Sequence, residues 1–168
     1  MHKYLNDLGV KSDEVGIFNT ENKDDDSERW QRFQEERKEH SFDSRETWSM
    51  DYTSATWLYE HLRVYKDWAD KVIDLDAIEF DIPILYRIPD GKLEYRDGYS
   101  FPVKFLESKI ERKTQKETID IMCEYLKNFL LDKELDTDKE VAICDMLSYE
   151  YLQGAFRIYA EVISSMWW

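Results

Sequence analysis

Residues 43 to 72, DSRETWSMDYTSATWLYEHLRVYKDWADKV, constrain the fold more than any other stretch, because they place two adjacent apolar stripes on one helix. Ala55, Leu58, Leu62, Tyr65, Ala69 and Val72 step by threes and fours, and Trp57, His61, Val64 and Trp68 do the same on the neighbouring face. Asp43 and Glu46 have the spacing of a capping box, in which each side chain satisfies a free backbone N–H at the helix start. So much apolar surface on one helix calls for several packing partners. The pattern predicts a spine helix at the centre of a single core.

The rest of the chain supplies those partners. A short helix around His2 to Leu8 ends at Gly9, and residues 1 to 26 read as a loosely packed N-terminal segment. Residues 27 to 40 have only Trp30 and Phe33 as anchors, which predicts a surface helix. Between residues 80 and 103 the composition turns β-friendly, with Ile82, Ile84, Leu85, Tyr86 and Ile88 before Pro89, Asp90 and Gly91. A β-hairpin turning at 89 to 91 is predicted, with Tyr99, Phe101 and Val103 as a short third strand. Thr114 with Glu117, and Thr137 with Glu140, form further capping boxes. They open amphipathic helices carrying Ile119, Met122, Cys123, Leu126, Phe129 and Leu130, and then Val141, Cys144, Leu147, Tyr151, Ala155, Ile158 and Val162. Gly154 inside the second run costs about 1 kcal/mol relative to Ala, which points to a close contact or a bend. The fold class is therefore mainly α (α+β), with three main helices and a small hairpin or three-stranded insert at 80–103. Trp57, Leu62, Trp68, Met122, Leu126, Phe129, Tyr151 and Phe156 are the expected core.

Composition fits this architecture. At 168 residues the chain suits one domain spanning 1–168, and 42% apolar content excludes a disordered tail. With 5 Gly and 3 Pro, helix breakers are scarce, and the two cysteines read as small buried apolar side chains. No apolar run reaches the roughly 18 residues of a membrane span, and no secretory signal opens the chain, so a cytoplasmic protein is expected. The net charge of −14 disfavours binding phosphates directly and suits a basic protein partner.

Glu46, Thr47, Trp48, Ser49, Met50, Asp51, Tyr52 and Thr53 form an E-T-W-(S/N)-(L/M)-D-Y-T stretch ahead of the aromatic helix. With the start MHKYLNDLGV and the terminal Trp167 and Trp168, the chain resembles a family of small bacteriophage proteins over most of its length. The resemblance implies phage origin and action in the host bacterial cytoplasm. It brings no activity, cofactor or catalytic residue with it.

The residues offer no catalytic motif. Asp51 and His61 lie on the spine helix and are expected as a buried polar site, with structural hydrogen bonding favoured over catalysis. The three histidines lack metal-ligand spacing, and neither cysteine has a CxxC partner, so no metal or cofactor is expected. Asp74, Asp76, Glu79 and Asp81, and then Asp132, Glu134 and Asp136, form acidic connections that read as partner-binding surfaces, whereas Trp167 and Trp168 are expected to dock beside the spine helix near Trp48 or Tyr52, with a self-association or partner-binding anchor as the alternative. The leading expectation is a phage accessory protein that binds a host protein, such as a defence or nucleic-acid-handling enzyme. A small-molecule or nucleotide-signal binder is the second expectation, a structural or assembly protein the third, and homo-oligomer formation stays open.

Overall fold

A computed structural model describes residues 3–10, 27–41, 43, 44, 47, 50–96, 99–131 and 141–166. The protein is mainly helical with one two-stranded antiparallel sheet, in the order α1 (Lys3–Asp7), α2 (Ser27–His40), α3 (Met50–Ala69), β1 (Glu79–Arg96), β2 (Tyr99–Thr114), α4 (Gln115–Leu130), α5 (Val141–Val162) and a 3₁₀ turn (Ile163–Ser165). It divides into two compact units, Met1–Glu60 and His61–Trp168, and α3 runs through the boundary.

In the first unit, α1 ends as its sequence requires. Gly9 takes the left-handed conformation, with φ at 81°, which lets Val10 N–H reach the Leu5 carbonyl at 3.0 Å and Gly9 N–H that of Asn6 at 2.9 Å. This paired closure draws Leu5 and Val10 together on the inside, and both are buried. The Leu5 N–H also donates to the buried Glu60 carboxylate of α3 at 3.0 Å. The N-terminal helix is thus tied down by a carboxylate 55 residues away. Helix α2 is a surface helix whose one buried apolar side chain among the described residues is Phe33. Its end is fixed electrostatically, because the Arg37 guanidinium donates to the fully buried Asp43 at 2.6 Å. Asp43 therefore serves α2 through Arg37. Glu46, its expected capping partner, lies outside the described residues, as does the Thr137–Glu140 box.

In the second unit, α4 begins at the expected capping box. The Glu117 N–H donates to Thr114 Oγ1 at 3.2 Å, and the Thr114 N–H donates to the Glu117 carboxylate at 2.8 Å. Two further free amides are met by the preceding connection, Gln115 N–H by the Ile78 carbonyl and Lys116 N–H by that of Leu75. Ile119, Met122, Cys123, Tyr125, Leu126 and Leu130 then bury one face of α4. Phe105, Leu106 and Leu147 form a core cluster with Leu85 and Tyr151 packed on it.

The hairpin differs from expectation in length and in turn. Its strands pair from Glu79 with Thr114 to Arg96 with Tyr99, so the ladder runs past the expected turn at 89 to 91, and what reads as a third strand begins the long second one. Pro89, Asp90 and Gly91 lie within β1, where the register slips between the Arg87–Leu106 and Lys92–Lys104 pairs. The extra residues opposite Phe105 are absorbed as an irregularity, which is where Pro and Gly are tolerated in a ladder.

The core is also narrower than the stripes suggest. Leu62, Met122 and Leu126 are buried, and Phe129, Tyr151 and Phe156 are half-buried, but Trp57 is 37% and Trp68 50% exposed. The reason is the orientation of α3. Tyr65, on the first stripe, accepts a hydrogen bond from Gln115 Nε2 of α4 at 3.0 Å, so from Leu62 to Ala69 that stripe faces α4 and Val64 and Trp68 are turned towards water. Val72, expected on the covered stripe, lies past the helix end and is 55% exposed.

Candidate functional site

The two residues expected at a buried polar site on α3 are not fully buried. His61 is exposed with the rest of its stripe. Asp51 is half-buried, and its carboxylate accepts the Tyr52 N–H at 2.8 Å, a local interaction at the helix start. Cys123 is no better placed for chemistry, since burial pushes its thiol up to about 12, leaving it protonated and unreactive at neutral pH. Among the described residues no group of three or more His, Cys, Asp or Glu side chains could hold a metal ion. Nor is any helix among them long and apolar enough to cross a membrane.

The acidic connection after α3 is exposed, as Asp74, Asp76, Glu79 and Asp81 all face solvent, but much of its charge is already answered. Asp81 is gripped by the Arg112 guanidinium across the ribbon at 3.0 and 2.9 Å, which holds its carboxyl below the usual aspartate value. Thr114 Oγ1 donates to Asp76 at 3.3 Å, and the Asp76 N–H caps Asp74 at 3.1 Å. The Lys116 ammonium pairs with Asp70 at 3.3 Å and lies in the field of Asp76 and Asp120, which together hold it firmly protonated. Lys66 of α3 pairs with Asp120 of α4. Asp132, Glu134, Asp136, Trp167 and Trp168 lie outside the described residues.

Beside this connection runs the exposed stripe of α3. Val64 is 53% and Trp68 50% exposed, four residues apart on one face of the helix, and Val72, 55% exposed, follows in the turn after Ala69. Helix α3 ends at Ala69, and in the turn that follows Val72 N–H and Ile73 N–H both donate to the Ala69 carbonyl. One exposed valine is ordinary on a protein surface. An exposed valine and tryptophan together, on a helix whose opposite face buries Leu62 and Ala69, are a candidate contact surface. The sequence revealed both stripes but not which of them the fold would cover.

The hairpin offers a contrasting surface. Directly opposed residues share a face, which groups Ile82 with Glu111, Ile84 with Lys109 and Tyr86 with Glu107. Here the Tyr86 hydroxyl donates to Glu111, Lys113 pairs with Glu111, and the Lys109 ammonium lies 5.1 Å from the Tyr86 ring centroid. Ile82 on this face is fully buried, and Tyr86 is 38% exposed.

The chain matches no family model, no curated protein and no solved structure.

Proposed function

We propose that the protein is a phage accessory protein that acts in the host bacterial cytoplasm by binding a host protein, inhibiting or redirecting a defence or nucleic-acid-handling enzyme. The observation that carries the binding part of this reading is the exposed Val64 and Trp68 on α3, with Val72 exposed in the turn after it, where water meets a large aromatic ring. Trp is enriched among residues that dominate binding energy. The phage setting rests on the E-T-W-S-M-D-Y-T stretch, Glu46 to Thr53, and the terminal Trp167 and Trp168. The net charge of −14 supports a basic or nucleic-acid-binding partner, because complementary potentials accelerate encounter and exclude wrong partners. Tagged protein expressed in the bacterial host and recovered for mass spectrometry is expected to bring down one host protein in stoichiometric amount, with a salt-sensitive association rate. Recovery of the protein from washed virions without a host partner would replace this reading by a structural or assembly role.

A further inference from the structure

We infer that the outer edge of β2 is a self-association surface, on which a second copy of this chain lays its own β2 in antiparallel register centred on Ile110. This goes beyond the host-binding reading and does not rest on it. The hairpin's own hydrogen bonds fix which backbone groups face away from the partner strand. Leu85 N–H is taken by Tyr125, Leu106 N–H by Glu150 and Thr114 N–H by Glu117, whereas Gln115 N–H turns the other way, to the Ile78 carbonyl. Outward and inward pairs alternate along an antiparallel ladder, so the backbone groups also point outward at the Pro83–Ile110 and Asp81–Arg112 pairs, as they do at Leu85–Ser108. Pro83, which has no N–H to offer, fits such a position. On β2, Glu150 and Glu117 close the two ends of this outward row, and Ser108, Ile110 and Arg112 between them are exposed. An unpaired edge is a template for another strand.

A two-fold axis at Ile110 pairs this whole stretch with itself. Ile110 then exchanges both backbone bonds with its own copy, and Ser108 does so with Arg112 of the second copy in each direction. The side chains fit the same register. Lys109 faces Glu111 of the second copy and Glu107 faces its Lys113, so unlike charges meet at each of these positions. Ile110, at 69% the most exposed large apolar side chain among the described residues, meets its own copy at the centre. Slipping by two residues sets Lys109 against itself and Glu107 against Glu111 in one direction, or Glu111 against itself and Lys109 against Lys113 in the other. Either slip also calls on an amide that Glu150 or Glu117 already holds. The whole chain carries −14, but residues 107 to 113 hold two acidic and three basic side chains, a local charge of +1, so the edges themselves do not repel through excess acid.

The test is sedimentation velocity of the full chain from about 10 μM to about 1 mM, a range set by the weak affinity expected of so short an edge. Wild type is expected to pass from monomer to dimer across it. Lys109→Glu and Glu111→Lys each set like charges opposite one another in a homodimer, and each should raise the dissociation constant at least tenfold. Mixed together, the two variants oppose only unlike charges, so the mixture should dimerise as wild type does. Ile110→Pro removes the central N–H, which the hairpin's own ladder does not use, and should abolish association. Circular dichroism and melting of each variant establish that it is folded. Amide exchange of the wild type needs no variant: protection of Ser108, Ile110 and Arg112 should rise with concentration, while that of Lys109 and Glu111, already held by β1, should change far less. The proposal is overturned by a chain that stays monomeric at about 1 mM, or by a dimer that folded Lys109→Glu and Ile110→Pro leave intact. A charge-variant mixture no tighter than either variant alone, or exchange at Ser108 and Ile110 that ignores concentration, overturns it equally.

Discussion

Gly154 shows how much one missing methyl group can decide. A Cβ at this position of α5 would run into Leu85 of the hairpin, 3.2 Å from its Cγ, and would sit 3.4 Å from the Tyr125 ring of α4. Three elements meet where only a hydrogen fits. Gly154→Ala is therefore expected to destabilise the protein by about 1 to 3 kcal/mol through overpacking, even though Ala is the better helix former. A urea-denaturation cycle with Leu85→Ala should show coupling of about 0.5 to 3 kcal/mol, and strict additivity would show that the two side chains do not compete for this space. The sequence revealed the glycine as an anomaly in a helix but could not name Leu85, which lies 69 positions earlier and reaches α5 only through the fold. Cys123 gives a second expectation. In a Cys144→Ser background its thiol should resist iodoacetamide at pH 8 in the native state and react on unfolding, because burial holds it near 12. Rapid native labelling would mean that the α4 face opens to solvent.

Among the elements, the hairpin depends most on its neighbours. An isolated two-stranded ribbon is marginal in water, and here the helices secure its backbone. The Leu85 N–H donates to the Tyr125 hydroxyl at 2.7 Å, while the Phe105 and Leu106 N–H groups both donate to the Glu150 carboxylate at 2.7 Å. Consecutive amides of a regular strand point to opposite sides, so one carboxylate can take both only where the ladder is irregular, opposite Ile88 to Gly91. Glu150→Ala should cost about 2 to 4 kcal/mol, as two partly buried charge-assisted hydrogen bonds are lost together. Glu150→Gln should fall between, and amide exchange at Phe105 and Leu106 should accelerate in both. Unchanged exchange in Glu150→Ala would show that the amides have another acceptor. The Pro89-Asp90-Gly91 turn signal misled because turn residues also fit irregularities within a strand, and sequence alone does not tell the two apart. The pairing of Asp81 with Arg112 was equally hidden, since their contact spans 31 residues. Because Arg112 lowers the Asp81 carboxyl, this pair contributes above the ordinary aspartate value and is lost as pH falls through the depressed one. NMR titration should place Asp81 below 3.8 in the wild type and return it towards 3.8 in Arg112→Gln. An unmoved titration would exclude Arg112 as the cause.

For the molecule as a whole, 37 acidic against 23 basic side chains make self-repulsion a standing cost of compactness. Raising sodium chloride from 20 to 300 mM is expected to raise the melting temperature by a few degrees. A fall would mean that ion pairs such as Arg37–Asp43 outweigh the general repulsion. The helical class and the α4 capping box were legible because each is a local pattern in the chain. Which of the two α3 stripes would be covered was not, because that depends on how Tyr65 meets Gln115, a contact 50 residues apart in sequence. The base of the hairpin has a consequence for the history of such a chain. Glu79 pairs with Thr114, and the Gln115 N–H closes on the Ile78 carbonyl, so the backbone leaves the helical part and returns to it at one place. Beyond the Tyr125 and Glu150 anchorages, residues can be gained or lost at the tip in matched pairs without displacing any helix. A lineage carrying this gene can therefore remodel the tip freely, and an engineer can graft a foreign loop there, while the helices that hold it stay as they are.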